Sequence, residues 1–224
     1  MFTGAGMSAE SGIKTFRDSG GLWEEYRIED VATPEAWQKN PRLVLEFYNQ
    51  RRKQVMQAKP NKGHVILAEL EKHFDIQIIT QNIDDLHERA GSKKVLHLHG
   101  QIMKSQSSTD PNLIYTMARP EINYGDKCEK GSQLRPHIVW FGEMVPEMEN
   151  AIDLVADADV FITVGTSLVV YPAAGLIHYT PSQSVKYLVD PGDFDSTVLG
   201  NLRHIKMGAS DGLKQLQKEL LSVA

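Results

Sequence analysis

The sequence predicts an α/β fold: a parallel sheet covered by helices on both faces, with a smaller lobe inserted into it. Three observations carry that reading. β-rich runs at 76–80, 159–164 and 185–189 alternate with amphipathic stretches at helical spacing, the pattern of a covered parallel sheet. Gly4-Ala5-Gly6 stands where a strand passes into a helix, as in Rossmann-type nucleotide folds. Residues 101–134 are poor in long apolar runs and rich in Ser, Asp, Pro, Gly and Lys, which places them outside the main sheet.

The elements follow in order. Phe2 and Thr3 end a first strand that is short against the usual ~5 residues, so the chain is expected to begin inside a longer gene product. Asn40-Pro41 opens a helix whose apolar residues Leu43, Val44, Phe47, Tyr48, Val55 and Met56 recur at helical spacing to about Gln57. Pro60 to Gly63 break the chain. A helix with Val65, Ile66, Leu67, Leu70 and Phe74 on its apolar face then leads into the strand at 76–80. A short helix over 83–90 closes at Gly91, and 95–99 form a strand ending at Gly100. Past the lobe, 137–141 read as another strand and 148–156 as a helix. Residues 159–164 form a buried strand opening into Gly165-Thr166-Ser167. Pro172 starts a further helix, 185–189 a strand, and 211–221 a last amphipathic helix with Leu213, Leu216, Leu220 and Leu221 expected inward. Residues 1–30, 59–100 and 135–224 are assigned to the large domain, and 31–58 with 101–134 to the small lobe.

Composition narrows the function. Lys+Arg 24 against Asp+Glu 29 gives a formal charge of -5, so nothing drives non-specific binding to nucleic acid or to an anionic membrane. No apolar stretch approaches the ~18 residues that span a bilayer. A cytoplasmic monomer acting on a small or peptide ligand is expected. The single cysteine, Cys128, excludes both an internal disulfide and a four-cysteine zinc site.

Candidate chemistry gathers at strand ends. A glycine turn at a helix N-terminus lets backbone approach a pyrophosphate, although a plain tight turn has the same composition. Gln81, Asn82 and Asp84 lie where a strand gives way to a helix, the edge at which open α/β sheets bind ligands. An amide and a carboxylate there orient a carboxamide or a water, or simply cap the helix. His99 ends a strand before Gly100 and suits general-base work. His97 shares its face, deeper in the sheet. No Cys, Asp or Glu at ligand spacing makes the two histidines a metal site.

Gly4-Ala5-Gly6-Met7-Ser8-Ala9-Glu10-Ser11-Gly12-Ile13, Thr15-Phe16-Arg17, Gln81-Asn82-Ile83-Asp84, His99-Gly100, Phe141-Gly142-Glu143 and Gly165-Thr166-Ser167 together resemble the sirtuin motifs, in family order and at family-like intervals. The resemblance implies NAD⁺ as a consumed co-substrate and an acyl-lysine peptide held between domain and lobe. It places Gly4, Ala5 and Gly6 at the pyrophosphate, and Phe16 and Arg17 in the cofactor loop. Gln81, Asn82 and Asp84 fall beside the nicotinamide, and Gly165, Thr166 and Ser167 along the adenosine ribose. Val139, Phe141, Gly142 and Glu143 fall at the peptide, and His99 is the base. Nicotinamide, O-acyl-ADP-ribose and free lysine are the implied products. Ala209, at the start of the last helix, is a candidate for the adenine end or an ordinary helix start.

Tyr48-x-x-Arg51 is similar to the signature of the desuccinylase and demalonylase branch, as is the small Ala9. In a helix Tyr48 and Arg51 share a face, so a phenol and a guanidinium converge on one carboxylate. Arg51-Arg52-Lys53 also reads as a solvated basic face. The family's four zinc cysteines are not matched: Ser105, Ser107 and Ser108 stand near the first pair and only Cys128 near the second. No structural metal is expected, and Ile114, Tyr115, Met117, Ile122 and Tyr124 are the side chains expected to hold the lobe. Asp190-Pro191 departs from an Asn that many relatives place at a ribose. Two other functions fit the same residues: a mono-ADP-ribosyltransferase, and an NAD⁺-sensing module without turnover.

Overall fold

The computed structural model describes residues 1–14, 22–23, 26–117, 119–166, 170–194 and 201–222. Strand β1 (Phe2–Thr3) runs into helix α1 (Ala5–Ala9), and a short hairpin, β2 (Leu22–Trp23) and β3 (Tyr26–Arg27), precedes helices α2 (Ile28–Val31), α3 (Pro34–Lys39) and α4 (Pro41–Gln57). Helix α5 (Lys62–Leu70), β4 (Ile78–Thr80), α6 (Leu86–Ala90) and β5 (Val95–His97) follow. β6 (Gly100–Ser107), β7 (Ile114–Thr116) and β8 (Leu134–Ile138) form the next group. α7 (Met148–Ala156), β9 (Val160–Val164), a 3₁₀ helix (Ala173–Tyr179), β10 (Val185–Val189), β11 (Leu202–Ile205) and α8 (Ala209–Ser222) complete the order.

The large sheet has the order β11-β10-β9-β1-β4-β5, and every pair in it is parallel. Because β1 is central and successive strands are laid down first to one side and then to the other, the sheet has a topological switch point between β1 and β9. One face buries Leu67, Leu70, Ile78, Val164, Leu213 and Leu216 beneath α5 and α8. Each such leucine removed from water is worth about 2 kcal/mol. The other face buries Phe2, Ile79, Phe161 and Leu176 beneath α7 and the 3₁₀ helix.

The lobe has its own three-stranded antiparallel sheet, β7-β6-β8. The strand read at 137–141 in fact runs over Leu134–Ile138 and pairs antiparallel with β6 in this lobe sheet. An apolar run alone does not say which sheet a strand joins. Helix α4 opens with the Asn40 side chain accepting from Leu43 N and with Pro41 in the first turn, a well-formed cap. Its inner stripe, Val44, Phe47, Tyr48, Arg51 and Val55, is buried, so the charge run at 51–53 is not a solvated face; of the three, only Lys53 is exposed.

The expected apolar clamp of the lobe is also corrected, since Ile114 and Tyr124 are 43% and 53% exposed and only Ile122 is deeply buried. Hydrogen bonds tie the pieces instead. Arg52, wholly buried, donates through Nε to Ile102 O (2.7 Å) and through Nη1 to Asn49 Oδ1 (2.8 Å) and Pro120 O (3.0 Å). Asn49 pairs with the backbone of Ile122 in both directions, at 3.0 Å each, and Lys53 meets Glu121 at 2.6 Å. Where zinc cysteines were sought, Ser132 Oγ lies 2.7 Å from Ser107 Oγ and 3.1 Å from Cys128 Sγ.

Candidate active site

The carboxyl ends of β1, β4, β5 and β9 bring the glycine turn, Gln81-Asn82, His99 and Gly165-Thr166 to one edge of the sheet. Two loops interlock there. Gly4 N donates to Val164 O (3.0 Å), Gly6 N to Gly165 O (2.8 Å) and Gly165 N to Val189 O (2.9 Å). Gly165 has φ +63°, and a Cβ there would lie 2.3 Å from Met7 N, so this residue must be glycine if the turn is to stay close. Gln81 Nε2 reaches Thr166 Oγ1 at 3.2 Å, which joins the ends of β4 and β9.

Asn82 and Asp84 are both buried and converge on Ser8. Asn82 Nδ2 donates to Gly4 O (3.0 Å) and lies 3.1 Å from Ser8 Oγ, whose hydroxyl donates to Asp84 Oδ2 (2.9 Å). Asp84 Oδ1 accepts from Leu86 N (3.2 Å), which caps α6. Burial raises the Asp84 carboxyl above its ordinary range, opposed by the Ser8 and Leu86 hydrogen bonds. Ser8 is the hub of this arrangement, yet in the sequence it is only one small residue in a longer motif.

His99 is half-buried, and its Nδ1 sits 3.1 Å from Gln81 O. A carbonyl can only accept, so Nδ1 carries the proton and Nε2 keeps its lone pair in the neutral ring. Burial lowers the His99 pKa, partly offset by that same carbonyl contact. The imidazole is thereby pinned in the tautomer a general base requires. Its backbone is held as well: Val139 N donates to His99 O (3.0 Å), and Gly100 has φ +82° with His137 O only 2.1 Å from where a Cβ would sit. His97 faces acceptors at both nitrogens, Asn82 O (3.0 Å) and Glu88 Oε1 (2.7 Å), as a deeper structural residue.

On the lobe side, Tyr48 and Arg51 are 1% and 4% exposed; Tyr48 packs in a cluster with Ile13, Val31, Ala32, Phe47 and Trp140, and the Arg51 guanidinium lies 5.8 Å from the Phe47 ring centroid. Tyr48 Oη accepts from Trp140 Nε1 (3.1 Å), and burial raises the phenol's pKa. Phe141 and Gly142 are exposed beside Val139, whereas both oxygens of Glu143 are held, by Arg135 and by Trp140 N. Ala209 is buried in the core, and the adjacent Ser210 N already meets Glu10 Oε1 at 3.1 Å. Phe16, Arg17 and Ser167 lie outside the described residues.

Fold and edge together define a Rossmann-type dinucleotide-binding protein with Gly4 to Gly6, Asn82, Asp84 and His99 at the carboxyl edge of its sheet. The chain belongs to the Sir2 family, whose model matches residues 4–172. It is 54% identical over 226 residues to an NAD-dependent protein deacylase of Bacteroides thetaiotaomicron, covering 99% of this chain and 97% of that one. An NAD-dependent protein deacylase of Helicobacter pylori is 50% identical over 224 residues, covering 100% and 97%. Among solved structures, a Sir2 homologue in complex with NAD superposes with TM-score 0.89 at 40% identity, covering 99% and 88%. A Sir2 enzyme bound to a propionylated peptide gives 0.79 at 33% identity, covering 97% and 91%.

Proposed function

We propose that this chain is an NAD-dependent protein-lysine deacylase that favours acidic acyl groups. Its family membership and the NAD-dependent deacylases it resembles at 54% and 50% identity support the reaction class. The burial of both Tyr48 and Arg51, three residues apart on one face of α4, supports the acyl preference.

The residues at the sheet edge fit the dinucleotide. The turn approaches Gly165 so closely that side chains at Gly4 or Gly6 would collide with it, which leaves backbone and the exposed Ala5 to face a phosphate group. Asn82, with Gln81 beside it, supplies amides for a carboxamide. When bound, NAD⁺ supplies an activated ribose with nicotinamide as leaving group. His99 Nε2 then takes a proton from a ribose hydroxyl, while its Nδ1–H remains on Gln81 O and spreads the positive charge. Nicotinamide, O-acyl-ADP-ribose and free lysine are the products expected.

An acyl carboxylate reaching Tyr48 and Arg51 would meet a phenol and a planar cation in dry surroundings, where charge-assisted hydrogen bonds are strongest. Mass spectrometry of acetyl-, malonyl- and succinyl-lysine peptides incubated with NAD⁺ tests the whole proposal. His99→Tyr should abolish turnover while NAD⁺ binding persists. Arg51→Met should lower desuccinylation at least ~30-fold more than deacetylation, about 2 kcal/mol for a charged hydrogen bond. Equal loss on both peptides removes the acidic pocket.

A further inference from the structure

We infer that Trp140 is a positioning residue for acidic-acyl recognition: its indole N–H orients the Tyr48 hydroxyl, and an Arg135–Glu143 pair fixes the indole. The inference rests on the acidic-acyl reading above and adds to it the groups that set the geometry of the phenol.

An indole nitrogen has a hydrogen to give and no lone pair to offer, so in the 3.1 Å contact Trp140 Nε1 donates and Tyr48 Oη accepts. That leaves the phenol's own hydrogen for another acceptor. A carboxylate, which only accepts, is the complementary partner, whereas the methyl end of an acetyl group offers no acceptor at that depth. The direction of one buried hydrogen bond therefore presents Tyr48 as a donor.

The indole is itself held on three sides. Arg135 Nη1 and Nη2 lie 2.7 and 3.1 Å from the two oxygens of Glu143, a bidentate pair, and Arg135 Nη2 also donates to Ile138 O at 2.8 Å. The guanidinium carbon stands 3.3 Å from the Trp140 ring centroid, a cation–π contact. Glu143 Oε2 further accepts from the Trp140 backbone N–H at 2.7 Å, closing the loop from 140 to 143. On the remaining side the Trp37 ring lies 5.7 Å away, centroid to centroid. Trp140 is 2% exposed and Tyr48 1%, so neither has solvent to reorganise into.

The test compares steady-state kinetics on succinyl- and acetyl-lysine peptides. Trp140→Phe should lower the succinyl-to-acetyl ratio of kcat/KM about tenfold, the scale of one buried hydrogen bond, with the loss falling on KM for the succinyl peptide. In a Tyr48→Phe background, which lacks the acceptor hydroxyl, the same substitution should leave the ratio where Tyr48→Phe alone put it. Should Trp140→Phe fail to fold, 3-benzothienylalanine at position 140 keeps the ring's shape and removes only the N–H. Equal losses on both peptides, or additive effects with Tyr48→Phe, overturn the inference. If the unsubstituted enzyme has no succinyl preference, the acidic-acyl reading fails and Trp140's role with it. If that preference is present and position 140 does not move it, only the role of Trp140 falls.

Discussion

At the residue scale, the tautomer of His99, the proposed base, is decided by a backbone carbonyl. Burial disfavours protonated His99, so its pKa lies below the ordinary imidazole value of about 6.5. With His99 as the proposed base, the neutral ring is the reactive form, and kcat/KM should rise with pH through that lowered value. A pH profile should therefore place the acid limb below about 6.5; a midpoint above it would contradict the burial argument. The position of His99 at the sheet edge was legible in the sequence because the apolar run 95–98 stops at a histidine followed by Gly100, a strand end. Ser8, Trp140 and Arg135 were not. Their importance lies in hydrogen-bond partners 76, 92 and 8 residues away, which no local pattern displays.

At the scale of elements, α4 does two jobs with neighbouring residues. Tyr48 and Arg51 face the lobe's apolar cluster, while Arg52, one step further round, hydrogen-bonds the backbone of β6 and of the segment at 120. Burial lowers the Arg52 pKa to about 10, which keeps it a cation at neutral pH. Arg52→Met should destabilise the protein by about 3 kcal/mol, because it strands at least two buried carbonyls at 1–3 kcal/mol each. Urea unfolding would measure the loss. Dialysis against EDTA should leave the unfolding midpoint where it was, since hydrogen bonds bridge the ground a zinc ion would otherwise hold. The helix itself could be read from Asn40-Pro41 and its apolar spacing. The burial of its arginines could not, because a run of like charge reads as solvated until the segment that receives it is known.

At the scale of the whole molecule, the parallel sheet and its alternating helices were legible because strand runs of β-branched residues separated by amphipathic helices admit few arrangements. Strand β11 (Leu202–Ile205) carries too little pattern to be placed that way. The fold also encloses two histidines whose rings stand 4.8 Å apart, and both are held neutral. Burial lowers His64 to about 4 and His87 well below its usual value. His64 Nδ1 accepts from Asn61 N in the capping box of α5, a bond its protonation would break. Between pH ~6.5 and ~4 the unfolded chain binds protons that the folded chain refuses, so stability rises with pH across that window and levels off above it. For His64 alone the span is worth roughly 3 kcal/mol. Melting temperatures at pH 4.5 and 7 would show it, and a flat profile would mean the pair ionises in place.

Gly100 joins these scales. The chain leaves the nucleotide sheet and enters the lobe's own sheet one residue past His99, the proposed base, through a backbone shape closed to any side chain, and Val139, just past the lobe's return strand, grips the carbonyl of His99. There is no slack in that linkage. Tilting of the lobe as a peptide settles would be transmitted straight to the imidazole, coupling substrate arrival to the readiness of the base. Slower amide exchange at Val139 on peptide binding would register that coupling, and unchanged exchange would argue against it.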